Sequence, residues 1–210
     1  IFMRAYYHYL LLRLYGPIPI EESSRTADGI AASQARKPFA ECVRWISEQI
    51  DWACENGMPK ERNESIELGL PTIGAARAIQ SRMHLMAASP LYNGNSVYSN
   101  WKNNDGTVLI SAEYDKELWK VAADAAKDVI DNYGYSLKEP NAESGEPTFD
   151  EVVENIRTIT TTWGKDQNPE LIWGHPNSIQ WYARCAVPAR WYGWNGRYSC
   201  LLYTSPSPRD

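Results

Sequence analysis

The sequence contains few of the residues that usually build catalytic or metal sites. It has three histidines and four cysteines, with no C-x-x-C pair and no histidine at ligand spacing. Structural zinc sites need such paired ligands, so we expect no metal and interpret Cys42, Cys54 and Cys185 as small buried apolar residues. The motifs G-x-S-x-G, H-E-x-x-H and G-x-x-x-x-G-K-[ST] are absent. No enzymatic activity and no cofactor are therefore expected.

The chain also lacks an excess of positive charge and any long apolar run. Its net charge is -5, whereas a nucleic-acid surface needs clustered lysines and arginines. No apolar stretch approaches the roughly 20 residues that a helix needs to cross a bilayer. Attachment to a membrane would require a lipid or an anchor outside these residues. The remaining composition is that of a globular chain long enough to bury a sizeable core.

Helical periodicity is the main positive signal. The spacing of apolar residues predicts a helix from Phe2 to Tyr15, ended by Gly16-Pro17, because glycine accepts a left-handed cap and proline cannot continue the helix. It also predicts three further strong helices and a weaker one, in the segments Phe39 to Glu55, Thr72 to Met86, Asp115 to Gly134 and Phe149 to Ile159. A brief strand or a buried extended segment is possible at Leu171-Ile172-Trp173.

These helices define the expected fold class and core. Alanines line one side of the third and fourth helices, which allows close approach of a neighbouring helix. We therefore predict a mainly α protein in which residues 1–137 form four helices packed as antiparallel pairs. Side chains expected in the core are Tyr6, Leu10, Val43, Ile46, Ile79, Met83, Val121 and Val129. The helices are irregularly spaced along the chain, which supports helix hairpins but no fixed repeat period.

Two loops carry unusual side chains. The segment from Leu91 to Ile110 is rich in Asn and Gly and contains Tyr98 and Trp101. The segment from 173 to 198 holds seven aromatic residues, namely Trp173, Trp181, Tyr182, Trp191, Tyr192, Trp194 and Tyr198. Tryptophan usually lies in cores or at interfaces. Several tryptophans in a polar, Gly- and Pro-punctuated stretch indicate a binding surface or, alternatively, packing on the helical scaffold.

The chemistry of the second loop suits a sugar. An indole face stacks on the C–H face of a sugar ring, while arginine and amide groups bond its hydroxyls. The predicted ligand-binding residues are therefore Trp181, Arg190, Trp191, Tyr192, Trp194 and Asn195. Trp181, Trp191 and Trp194 are the first candidates for the stacking platform. Additional polar groups nearby are Asn177, Gln180, Arg184 and Arg197.

Several motifs in order resemble the SusD/RagB family of outer-membrane nutrient-binding lipoproteins. They are R-A-Y-Y-x-Y-L-L-L-x-L-Y-G-P-I-P in the first helix, T-I-G-A-A-R-A-I-Q-S-R followed by A-A-S-P-L-Y-N-G-N, and N-P-E-L-I-W-G near residue 171. Trp119 with the alanine-rich run 122–126 lies between them. The resemblance covers residues 1–199.

This resemblance implies a fold and a function. It implies tetratricopeptide-like helix pairs beneath long aromatic-rich loops. It also implies a surface-exposed lipoprotein of the cell outer membrane that binds oligosaccharide or polysaccharide and delivers it to a SusC-like TonB-dependent outer-membrane transporter. A signal peptide and a lipid-bearing cysteine would lie outside this chain. The loops are where members of the family differ most, so the resemblance supplies no residue match for the sugar site.

Two other functions stay open. A helical-repeat scaffold that binds only protein would use the same aromatics as core. A glycoside hydrolase would need two facing carboxylates; Asp150, Glu151 and Glu154 cluster on one predicted helix, where they are more typical of a solvated face and of the negative charge favoured at a helix N-terminus.

The end of the chain is expected to be foreign. Residues 200–210 are similar to a translated sequencing adaptor, so we predict a partial binding domain at 1–199 followed by a non-native tail. A genuine Ser/Pro-rich tail is the alternative. Since the first predicted helix begins at the very start of the sequence, we also expect the amino terminus of the protein to be missing.

Overall fold

The computed structural model describes residues 1–22, 35–62, 67, 69–139, 146–161 and 168–174. Within them lie five α-helices, which are α1 (Phe2–Tyr15), α2 (Phe39–Glu55), α3 (Ile73–Ala88), α4 (Glu117–Asn132) and α5 (Phe149–Thr161), and one 3-10 turn, Ser96–Tyr98. These residues contain no β-strand, only a single bridge between Lys102 and Val108. The prediction of a mainly α fold made of helix hairpins is confirmed.

The chain divides into two units, Ile1–Gly174 and His175–Asp210, and all described residues belong to the first. The predicted boundary between residues 199 and 200 lies outside the described residues. Of the described helices, none is long and apolar enough to cross a membrane.

The helix ends follow the local sequence signals. Helix α1 ends where Gly16 takes a φ of 68° and donates its N–H to the carbonyl of Leu12. At the start of α3, the Thr72 hydroxyl accepts the Ala75 N–H at 3.3 Å, as an N-cap residue should. Ser89 is extended, as the residue before a proline prefers, and α3 stops there. Helix α4 starts two residues after Asp115, whose carboxylate accepts the Glu117 N–H at 2.9 Å.

The core lies mainly among α1, α2 and α3. Each helix from α1 to α4 packs on the next in chain order, so the four form an array. Its largest fully buried side chains include Leu12, Ile46, Ile50 and Met83. Phe39 at the start of α2 stacks on Tyr92 beyond α3, with ring centroids 3.9 Å apart. This stack joins the loop after α3 to the core.

Most of the predicted core is buried, with one error. Val43, Ile46, Ile79, Met83 and Val129 are buried, and the side chains of Tyr6 and Leu10 are partly buried against the core. The prediction for Val121 is wrong, since this residue is 44% exposed. Helix α4 instead buries Ala122 and Val129. Successive residues of an α-helix point about 100° apart, so a face centred on Ala122 turns Val121 toward solvent.

The amino-terminal turn of α3 contains a close approach between Gly74 and Tyr135. A Cβ atom added to Gly74 would lie 2.9 Å from Cε2 and 3.0 Å from Cζ of the Tyr135 ring. Burial raises the pKa of Tyr135, and a hydrogen bond with Thr72 opposes that rise. The ring of Tyr135 therefore packs where a side chain on Gly74 would lie.

Replacing Gly74 with alanine should lower the free energy of unfolding by about 1–2 kcal/mol, because overpacking a filled site is costly. Helix propensity alone predicts the opposite sign, a gain of about 0.5–1 kcal/mol. Urea denaturation of the variant, alone and combined with Tyr135→Ala, separates the two effects. Without the ring, Gly74→Ala should become neutral or stabilising. A stabilising effect with Tyr135 in place would contradict this packing.

Candidate functional site

The residues predicted to bind a ligand lie outside the described residues. This applies to Trp181, Arg190, Trp191, Tyr192, Trp194 and Asn195, and to the polar groups around them. Their roles stay predictions. The structure does describe the beginning of the aromatic segment, at Trp173, and the whole of the Asn-rich loop from Leu91 to Ile110.

Trp173 packs against the scaffold. Its ring meets Phe2 and Tyr6 of α1 edge-on, at centroid distances of 5.9 and 5.2 Å. The indole N–H donates to the carbonyl oxygen of Gly69 at 2.8 Å. Trp173 thus joins three distant parts of the chain and is a packing residue.

The residues just before Trp173 are hydrogen-bonded to the chain that follows α4, and we call this arrangement the clamp. The Glu170 carboxylate accepts the Lys138 N–H at 2.9 Å, and the carbonyl of Pro169 accepts the Ser136 N–H at 3.3 Å. Leu171 donates its N–H to the carbonyl of Asn168, so the segment turns and forms no strand. The N-P-E-L-I-W motif therefore fixes the start of the aromatic segment to the chain that leaves α4.

The loop after α3 is fixed by one buried amide. Asn93 is buried, and its Nδ2 donates to the carbonyls of Ala88 at 3.3 Å and Asp115 at 2.8 Å. Its Oδ1 accepts the Asp115 N–H at 2.7 Å. This side chain thus holds the entrance of α4 against the exit of α3. Beside it, Gly94 has a φ of 80°, and a Cβ atom there would lie 2.9 Å from Cβ of Tyr114.

The aromatic residues of this loop are partly buried. Tyr98 and Trp101 both pack against the core, with ring centroids 5.7 Å apart. The Arg36 guanidinium lies over the Trp101 ring, 5.4 Å from its centroid. Asn103 donates to the carbonyl of Arg36 at 2.8 Å, which ties the loop to the chain before α2. The loop is therefore held in place by the core and by the chain before α2, and Arg36 is exposed at its surface.

A polar seam crosses the contact between α2 and α3. The Asp51 carboxylate accepts hydrogen bonds from the Arg77 guanidinium and from Gln80 Nε2, the latter at 3.0 Å. Burial lowers the pKa of Arg77, but its hydrogen bond with Asp51, together with its interactions with Cys54 and Tyr133, outweighs burial and raises that pKa overall. His84 Nε2 lies 3.4 Å from Ser47 Oγ, and burial lowers the pKa of His84.

This seam is structural. Serine, histidine and aspartate occur together in it, but the Asp51 carboxylate is occupied by the Arg77 guanidinium and the Gln80 amide. A nucleophile needs a base that is itself oriented by a third group. The seam instead satisfies polar groups between two packed helices.

The carboxylates of α5 include a helix cap. Glu151 accepts hydrogen bonds from the Thr148 N–H at 2.7 Å and the Thr148 hydroxyl at 2.8 Å. In return, the Thr148 hydroxyl accepts the Glu151 N–H at 3.4 Å. This reciprocal pair is a capping box. The interpretation of Glu151 as favourable charge at a helix N-terminus fits this geometry.

Metal-ligating groups do not converge in the described part of the chain, where no three His, Cys, Asp or Glu side chains lie close enough to hold an ion. Cys42 is buried, and its thiol lies 3.5 Å from the carbonyls of Ile18 and Lys37. Burial raises the pKa of Cys42 and of Cys54, which disfavours the reactive thiolate. Cys42 therefore matches the interpretation as a small buried residue, whereas Cys54 is only partly buried and Cys185 lies outside the described residues.

Comparison with known proteins finds similarity to solved structures. No protein-family model and no curated protein matches the chain. Among solved structures, BT4246, a protein of Bacteroides thetaiotaomicron, is similar to 87% of this chain at 32% sequence identity, with a TM-score of 0.71. A structure of selenomethionine BT4246 gives a TM-score of 0.67 at the same identity. The match covers 35% of BT4246, so this chain spans about a third of the length of the relative that it resembles.

Proposed function

We propose that this chain is part of a SusD/RagB-like lipoprotein that binds oligosaccharide at the outer surface of the outer membrane and delivers it to a TonB-dependent transporter. The observation that carries the proposal is the order of the family-like motifs along the sequence. Similarity to BT4246, a Bacteroides protein, is consistent with it.

The family-like motifs coincide with fixed points of the scaffold. The first motif includes Gly16, where α1 ends, and the second includes Asn93, which holds α3 and α4 together. The third includes Trp173, which bonds to Gly69. These motifs therefore specify the helical support. The sugar specificity would come from residues outside these motifs, in particular from the aromatic segment that follows the third one.

The proposed ligand contacts rest on side-chain chemistry. In the proposal, indole rings of Trp181, Trp191 or Trp194 stack on the apolar face of a sugar. Arg190 and Asn195 bond its hydroxyls, and Tyr192 adds a further aromatic face. Trp173 and the clamp before it anchor the beginning of this aromatic segment to the described scaffold.

Co-purification tests the proposed partner. The full-length protein that carries this chain, extracted from native membranes with mild detergent, should bring down a TonB-dependent transporter. An outer-membrane lipoprotein of another family serves as the control for non-specific capture. Recovery of the protein as a free soluble species, with no such transporter encoded beside it, would contradict the proposal. Capture of a different protein in constant ratio would favour the protein-binding scaffold.

A further inference from the structure

The described residues contain two Asn-Gly dipeptides in opposite surroundings, Asn56-Gly57 after α2 and Asn93-Gly94 after α3. Asparagine before glycine is prone to spontaneous deamidation, because glycine has no side chain to keep its backbone nitrogen away from the asparagine side chain. The reaction needs room for the two groups to meet and freedom for the backbone to turn. These two requirements distinguish the two sites.

The Asn56-Gly57 site is open. Asn56 is exposed at the end of α2, and a Cβ atom added to Gly57 would meet no atom beyond the adjoining residues within 4 Å. The Asn56 Nδ2 donates to the carbonyl of Trp52 at 2.8 Å. Helix ends fray, so this exposed bond opens readily and leaves the side chain free to react.

The Asn93-Gly94 site is closed. Asn93 is buried, and both its amide nitrogen and its amide oxygen are held by hydrogen bonds to the backbone of Ala88 and Asp115. A Cβ atom on Gly94 would lie 2.9 Å from Cβ and 3.2 Å from Cα of Tyr114, so Gly94 is packed against the backbone of Tyr114. The two reacting groups can therefore meet only if the entrance of α4 separates from the exit of α3.

We propose that Asn56 is a site of spontaneous deamidation in the folded protein and that the fold protects Asn93. In this reaction the Gly57 backbone nitrogen loses its proton and attacks Cγ of Asn56. The new N–Cγ bond closes a succinimide ring, the Cγ–Nδ2 bond breaks, and the side-chain nitrogen leaves with that proton as ammonia. Water then opens the ring at either carbonyl, which leaves aspartate or isoaspartate.

The modification changes the end of α2. The new carboxylate cannot donate to the Trp52 carbonyl, and it places a negative charge at a helix C-terminus, where the helix dipole disfavours one. Each conversion also makes a chain of net charge -5 more acidic, so the product separates from the unmodified protein by ion exchange. This inference does not depend on the proposed sugar binding.

Peptide mapping by mass spectrometry tests the proposal in the full-length protein that carries this chain. The protein is incubated at mildly alkaline pH, either folded or unfolded in guanidinium chloride, and is then digested with trypsin. Cleavage after Arg44 and Lys60 yields the peptide 45–60, in which Asn56 is the sole asparagine. Asn93 lies in the peptide 83–102, where fragmentation distinguishes it from the other asparagines.

In the folded protein Asn56 should convert at least about tenfold faster than Asn93, because conversion at Asn93 must await a local opening of the loop. In the unfolded protein the two rates should agree within about threefold, since both asparagines precede glycine. Asn56→Gln is the control and should abolish the gain of mass in the peptide 45–60, because glutamine closes a larger ring far more slowly. Rates that agree as closely in the folded as in the unfolded protein would overturn the proposal. So would conversion of Asn56 in the unfolded protein alone.

Discussion

Replacing Trp173 with alanine should lower the free energy of unfolding by about 3–5 kcal/mol, the usual cost of removing a large packed aromatic side chain. The ring contacts Phe2 and Tyr6, and its N–H satisfies the carbonyl of Gly69. The substitution would remove all three interactions at once. Chemical denaturation followed by circular dichroism would measure the loss.

Two further variants identify the source of that loss. Trp173→Phe keeps an aromatic ring but removes the N–H donor, so it should cost about 1–3 kcal/mol through the unpaired Gly69 carbonyl. Trp52→Ala is the control, because Trp52 is 50% exposed on α2. Its loss should cost less than about 1 kcal/mol. If Trp173→Ala were as mild as Trp52→Ala, Trp173 would not be a packing residue.

The second large effect is expected at Asn93. In Asn93→Asp a carboxyl group would face the carbonyl oxygens of Ala88 and Asp115, to which the amide now donates. At pH 7 the loss should be about 3 kcal/mol or more, because a buried charge would meet two acceptors and two hydrogen bonds would be lost.

The pH dependence of this variant gives a second readout. The environment disfavours the charged form, so the pKa of the new carboxyl should be higher in the folded than in the unfolded chain. Folding then binds a proton between those two values, and the deficit relative to wild type should shrink as pH falls toward about 4. Asn95→Asp is the matched control, because the Asn95 side chain, like that of Asn93, accepts a backbone N–H. Its partner is the Val97 N–H at 3.1 Å, and this bond caps the 3-10 turn. It should cost less than about 1 kcal/mol at either pH. A deficit that does not change with pH would contradict the proposed cause.

Local signals in the sequence predict the helices well. Gly16 ends α1, Thr72 caps α3 and the Ser89-Pro90 step stops it, as expected from capping and backbone preferences. One position on α4 is the exception. Val121 was expected in the core, but it lies beside the observed buried face of Ala122 and Val129 and is 44% exposed.

Interactions between distant residues could not be predicted in the same way. The Trp173 N–H bonds a carbonyl 104 residues earlier in the chain, and Asn93 bonds Asp115 across a loop. A polar asparagine next to a glycine is equally typical of a simple turn, so nothing local indicates that Asn93 is buried. In the same way, the sequence around Gly74 is that of an ordinary helix start, so it does not predict that the Tyr135 ring packs against this residue. Only the tertiary fold brings these groups together.

The most direct test of the central claim is sugar binding by the full-length protein and its three single variants Trp181→Ala, Trp191→Ala and Trp194→Ala. A glycan array would identify the sugar, and calorimetry would then give each affinity alongside each melting temperature. A stacked ring on an exposed indole contributes about 1–3 kcal/mol, by analogy with bases on aromatic side chains, so at least one variant should bind roughly 5- to 150-fold more weakly while melting normally. If all three variants lost stability and none lost affinity selectively, the platform would not lie in this segment. If the wild-type protein bound no glycan, the proposed function would be wrong.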